Sequence, residues 1–172
     1  TLNSHHKRLK TILNRAFKEG LISKNPYIDF RLKKESGLPK YLTKDELSRI
    51  EAHNLGGNVS LGGVRDIFLF SCYTGLRFAD AQNLKMSDLQ EANDGSLSIE
   101  IKQMKTGSEV YIPLLEQAQA IVESYSSLDE RALKSSVLPQ ISNVKTNTYL
   151  KVIQDLVGIR TKLTHNVARH TW

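Results

Sequence analysis

Between Leu97 and Ile112 the spacing of apolar residues changes, and that change constrains the fold more than any other feature. Leu97, Ile99 and Ile101 alternate with polar residues, and Val110 and Ile112 do so again. A period of two is that of a strand laid on a core, and Lys105-Thr106-Gly107-Ser108 between the runs reads as a turn. The stretch is therefore a β-hairpin with Lys105 near its tip, set in an otherwise helical chain. The expected class is mainly α with a small β-hairpin or sheet, an α+β fold.

The helical remainder divides in two. Leu2, His6, Leu9, Leu13, Ala16 and Phe17 recur at helical spacing, with Lys7, Arg8, Lys10, Arg15 and Lys18 between them. That helix has a basic outer face, stops at Gly20, and is too small to make a core alone. Residues 33–39, charged and punctuated by Gly37 and Pro39, read as a linker, so the domains are expected at 1–38 and 39–172. In the second, Thr43-Lys44-Asp45-Glu46 is a capping box that starts a helix carrying Leu47 and Ile50 inward, with an end marked by Gly56-Gly57. Val64 to Tyr73 is apolar enough to be a central helix, and a short helix holding Phe78, Ala81 and Leu84 follows the Thr74-Gly75 break. Further helices are expected around Ala118 to Tyr125, from Tyr149 to Val157 with Gly158 as its stop, and from His165 onward under a Thr164 cap.

Composition narrows the partners. No apolar run approaches the roughly 20 residues that span a bilayer, and no signal peptide opens the chain. Its start at Thr1 reads as that of a fragment of something longer. The single cysteine, Cys72, lies in an apolar run and reads as a buried thiol, which fits a reducing, cytosolic compartment. A net charge of +6 and a pI near 9.4 favour an acidic partner, nucleic acid or an anionic surface. No Gly-rich phosphate loop, carboxylate cluster or Cys/His ligand spacing is present, so neither metal nor nucleotide cofactor is expected.

Three cations stand in distinctive short settings: Arg77 in Thr-Gly-Leu-Arg, Lys105 in Met-Lys-Thr-Gly, and Arg169 in Val-Ala-Arg-His. Arginine offers a planar fork of donors matched to phosphate oxygens, and lysine adds a mobile point charge. In that order they read as one phosphate-binding constellation brought together by folding. Asp80, three residues after Arg77, lies on the same helical face.

With Thr74-Gly75-Leu76-Arg77-Phe78-Ala79-Asp80, the Lys-Thr-Gly hairpin leading to Tyr111-Ile112-Pro113-Leu114, and Ala168-Arg169-His170-Thr171-Trp172, the chain resembles a tyrosine recombinase of the phage integrase family. The phrasing of the first and last motifs is most like integrases of Bacteroidetes mobile elements. The resemblance implies a catalytic-domain fold from 39 to 172, incomplete at its C-terminus, preceded over 1–38 by the last helix of a core-binding domain and a linker. It assigns catalytic arginines to Arg77 and Arg169, an orienting acid to Asp80, and the general acid to Lys105, with Lys102 as a competitor. His170 is implied as a structural hydrogen-bonding neighbour of the site. Where the family usually has a histidine three residues before the second arginine, this chain has Asn166. An amide can bind a phosphate oxygen but cannot exchange a proton at neutral pH. His165 is adjacent but would point about 100° away on a helix.

The resemblance further implies double-stranded DNA as partner, a homotetramer on that DNA, and a bacterial cytoplasmic location. The reaction would be cutting and rejoining of strands through a 3′-phosphotyrosyl link. None of the six tyrosines occupies the place of the nucleophile, which is expected beyond Trp172, so residues 1–172 alone are expected to be inactive. Two other readings stay open: a non-catalytic DNA-binding or regulatory relative, and an unrelated helical interaction protein in which the three cations lie far apart.

Overall fold

The computed structural model describes residues 2–31, 40–126 and 136–171, in two units, Thr1–Leu38 and Pro39–Trp172. The linker reading at 33–39 and Trp172 fall outside the described residues. In the first unit α1 spans Leu2–Lys18 and buries none of its residues. Gly20, at φ 73°, lets the chain reverse after it. The return segment is tied back by side chains: Asn25 Nδ2 donates to Asn14 Oδ1 at 2.7 Å, and His6 Nδ1 is 2.7 Å from the Tyr27 hydroxyl. The rings of His6 and Phe30 also meet, with centroids 5.0 Å apart.

The second unit opens with α2, Lys44–Ala52, on the expected capping box. Thr43 Oγ1 accepts from the Glu46 amide at 3.2 Å, and Glu46 Oε2 accepts from the Thr43 amide at 3.0 Å. The helix ends at His53, ahead of Gly56. Helix α3, Val59–Thr74, starts five residues before the expected Val64, because the Asn58 side chain caps the Leu61 amide at 3.0 Å. It buries ten residues from Gly63 to Thr74, among them Val64, Ile67, Phe68 and Phe70 at 0% exposure. Each large apolar side chain buried this way contributes roughly 1.5–3 kcal/mol, and among the described residues no other helix buries as many. Cys72 lies in it, buried, and desolvation pushes its thiol pKa up, with Glu51 adding to the shift.

Gly75, in the left-handed region at φ 67°, ends α3 and sends its amide back to Ser71 O at 3.0 Å. That turn sets Arg77 as N-cap of the short α4, Phe78–Gln82. A single 3-10 turn at Met86–Asp88 then leads into strand β1, Leu89–Glu91. The expected hairpin follows as β2, Leu97–Lys102, and β3, Glu109–Pro113. The three strands form one antiparallel sheet in the order β1-β2-β3, with Leu89 opposite Ile99 and Ile99 opposite Ile112. The hairpin is thus two strands of three. Only Ser98 and Ile99 of β2 are fully buried, and Leu89 of β1 and Ile112 of β3 pack partly buried against the same core.

Helix α5 spans Glu116–Ser126. Beyond it Gln82 holds the returning chain, donating from Nε2 to Pro139 O at 3.0 Å and accepting the Ile141 amide on Oε1 at 2.9 Å. Helix α6, Asn143–Val157, starts a turn and a half before the expected Tyr149, on a Ser142 cap, and stops at Gly158. Helix α7, His165–Thr171, completes the unit, and α3 packs against α2, α4, α5, α6 and α7. No helix among the described residues is long and apolar enough to cross a membrane.

Candidate active site

The start of α4, the hairpin turn, α6 and α7 converge on one open basin of about 570 Å³. Arg77, Lys105 and Arg169 all line it, with Asn166 and two further amides, Asn143 and Asn147. Among the described residues no carboxylate and no tyrosine lines it. Three cations and three amides facing one space make a receptor for a polyoxyanion, since every polar side chain on the walls can donate.

Arg77 is held from two sides. Its Nη1 donates to Gln103 Oε1 at 2.6 Å and stands 3.9 Å from Asp80 Oδ2. Asp80 is buried, with its side chain only 2% exposed. Its Oδ1 accepts the backbone amide of Met104 at 2.9 Å, while Oδ2 has no hydrogen-bond partner among the described residues. A buried carboxylate is costly unless a cation compensates it, so Arg77 and Asp80 fix one another.

The same contacts reach the hairpin. Gln103 Oε1 also accepts from Thr106 Oγ1 at 3.0 Å, and the Gly107 amide closes the turn on Gln103 O at 2.8 Å. Gly107 supplies the positive φ, 69°, that this closure needs. Lys105 sits in the middle of that turn, exposed, and on the basin. Lys102 instead lines a separate depression with Asp80, Asp88 and Glu100. Sequence reasoning missed Gln103, because nothing local marks a glutamine that works through contacts made by folding.

On the opposite wall α7 sinks Val167 and Ala168 into the core and leaves Arg169 half-buried. Arg169 has no ion pair or hydrogen bond from its side chain among the described residues. His165 turns inward: its Nε2 is 2.9 Å from Ser71 Oγ, and its ring stands edge-on to Phe78 with centroids 5.0 Å apart. Burial pushes its pKa down to about 4, so the imidazole is neutral at pH 7. Its backbone amide donates to Asn147 Oδ1 at 3.0 Å, which locks the start of α7 to α6. Asn166 points to solvent instead and lines both this basin and a neighbouring depression. His170 differs from the expected hydrogen-bonding neighbour: it is exposed, lines only that second depression, and bonds to no described side chain.

The sequence profile of the phage integrase family matches residues 40–172. No curated protein matches the chain by sequence. Among solved structures, a lambda integrase tetramer bound to a Holliday junction is similar over 94% of this chain and 49% of its own, at 21% identity and a TM-score of 0.70. XerH site-specific recombinase bound to its difH substrate is similar over 83% of this chain and 44% of its own, at 22% identity and a TM-score of 0.62. The Tn1549 transposon integrase with circular-intermediate DNA covers 98% of this chain with 63% of its own, at 20% identity and a TM-score of 0.62. This chain therefore spans between 44% and 63% of the length of these structures, and what it shares with them is the fold.

Proposed function

The chain belongs to the phage integrase family, and from that membership we propose that its basin receives the scissile phosphate of duplex DNA in a site-specific recombinase. The observation that carries this reading is the convergence of Arg77, Lys105 and Arg169, drawn from three separate elements, on one concavity that no carboxylate lines among the described residues. Attack on a phosphodiester adds negative charge to the phosphoryl oxygens, and donors fixed around that position lower the barrier most. Arg77 and Arg169 would flank those oxygens, with Asn166 as a neutral donor and Asp80 holding Arg77 in place.

In the reaction a tyrosine oxygen bonds to phosphorus as its own proton passes to water, the bond from phosphorus to the 5′ oxygen breaks, and Lys105 gives that oxygen its proton. A 3′-phosphotyrosyl link and a 5′ hydroxyl result, and a partner strand's hydroxyl reverses the step. No tyrosine lines the basin, so residues 1–172 supply charge, orientation and the acid, and the nucleophile comes to the basin from elsewhere. The unit Thr1–Leu38, with its basic helix face, fits the end of a second DNA-gripping domain. A homotetramer on DNA and a bacterial cytoplasmic location follow from the same reading.

The test is a nicked suicide duplex that traps the covalent intermediate. The whole gene product carrying residues 1–172 should form a tyrosine-linked adduct, and residues 1–172 alone should form none. Duplex binding without any adduct from the whole product would leave a non-catalytic DNA-binding relative as the better reading.

A further inference from the structure

The depression next to the basin has no part in the reaction just described, yet its chemistry is of the same kind. Lys40, Lys162 and His170 line it with Thr164, Asn166 and Val167, around about 290 Å³. Thr164 and Asn166 line the basin as well, so the two concavities share a wall. Among the described residues no carboxylate lines the depression, and neither lysine makes an ion pair. Both lysines are exposed. An imidazole offers at least one N–H in either protonation state, so His170 is a further donor.

Phosphates along a strand are evenly and closely spaced, so a strand with one phosphate in the basin must lay the next on an adjoining surface. The hairpin side is a poor exit. There a depression sets Lys85 and Lys102 against three carboxylates, Asp80, Asp88 and Glu100. Among the described residues the α7 side offers two unpaired lysines and no acid. We propose that Lys40 and Lys162, with His170, form a second phosphate site that holds the phosphate neighbouring the scissile one on the cleaved strand. Asn166 stands between the two sites and can donate to either phosphate. This site sets the register of the strand rather than its chemistry, since phosphate contacts position a duplex without reading its sequence. The inference rests on the proposed recombinase reading.

The experiment uses the whole gene product and duplexes that carry a neutral methylphosphonate at one position of the cleaved strand at a time. On natural DNA, Lys40→Gln and Lys162→Gln should each weaken binding about three- to tenfold and lower the salt slope by about one. On the duplex neutralised next to the scissile phosphate, both substitutions should lose their effect, while neutralisation farther away leaves it intact. Glutamine keeps most of each exposed stem, and circular dichroism verifies the fold of each variant. Losses that persist on every neutralised duplex, or no loss on natural DNA, would overturn the second site. If wild type still forms its covalent adduct in that case, the recombinase reading stands and only this inference falls. Absence of both adduct and duplex binding in wild type would remove the two together.

Discussion

On one wall of the basin α7 buries His165, Val167 and Ala168 against the core, and Arg169 projects from that base with no tie of its own among the described residues. On the other wall no residue from Gln103 to Glu109 is buried, and the turn is held by hydrogen bonds running to Asp80 and Arg77. The helix wall is set by apolar burial, which is cooperative and hard to deform. The hairpin wall is set by a few polar contacts near solvent, the kind that open locally at low cost. The cation on the rigid wall is thus free for a ligand, whereas Arg77 already spends one donor on Gln103. Phosphate binding at Arg77 would compete with Gln103 and so reach the turn that carries Lys105.

The largest test of this contrast removes the arginines. Arg77→Ala and Arg169→Ala should each cut adduct formation on a suicide substrate about a thousandfold, roughly 4 kcal/mol. Unchanged activity in either variant would remove that residue from the site. Next in size is the pH response of the helix wall. The folded state holds His165 neutral down to about pH 4, while the unfolded chain takes up the proton near 6.5. The unfolded state thus binds more protons in that window, so stability is full above pH 6.5, falls between 6.5 and 4, and levels off below. Denaturant titrations should show about 3 kcal/mol of such loss in wild type relative to His165→Gln. A flat difference curve would place His165 outside the α7 anchor.

The hairpin wall should respond in activity rather than stability. Lys105→Ala should lose about a hundredfold in cleavage, and a 5′-bridging phosphorothiolate, whose sulfur leaves without a proton, should restore most of it. No rescue would make Lys105 a phosphate clamp. Gln103→Ala should cost about tenfold, near the 1–1.5 kcal/mol of one hydrogen bond. If Gln103 acts by placing Lys105, the sulfur substrate rescues this variant too; a defect that survives sulfur belongs to Arg77 instead.

What the sequence made legible follows the same division between local and non-local causes. The Thr43–Glu46 cap and the Gly75 and Gly158 stops are chemistry within one turn, and each stands where the residues put it. The alternation from Leu97 to Ile101 was legible because one face of β2 meets the core. Strand β1 was not, since three residues carry no period and Leu89–Glu91 is a strand only through pairing with β2. The first turn and a half of α6 escaped because its one buried residue, Thr146, is polar and its one apolar residue, Val144, is 79% exposed, so no apolar spacing repeats there. At the site, the three cations were marked by their motifs. Gln103, Asn143 and Asn147 were not, because each matters only for what tertiary folding sets beside it.

Cys72 has a practical consequence. It is the one cysteine in the 172 residues, sealed in α3, with a thiol that burial keeps protonated. Thiol reagents act on exposed thiolates, so the chain is already silent toward them. A cysteine installed by Ser108→Cys, on the exposed hairpin turn, would then be the sole reactive handle, with no native residue to remove first. A spin label or fluorophore there would turn the arrival of DNA at the basin into a spectroscopic signal from the turn that carries Lys105.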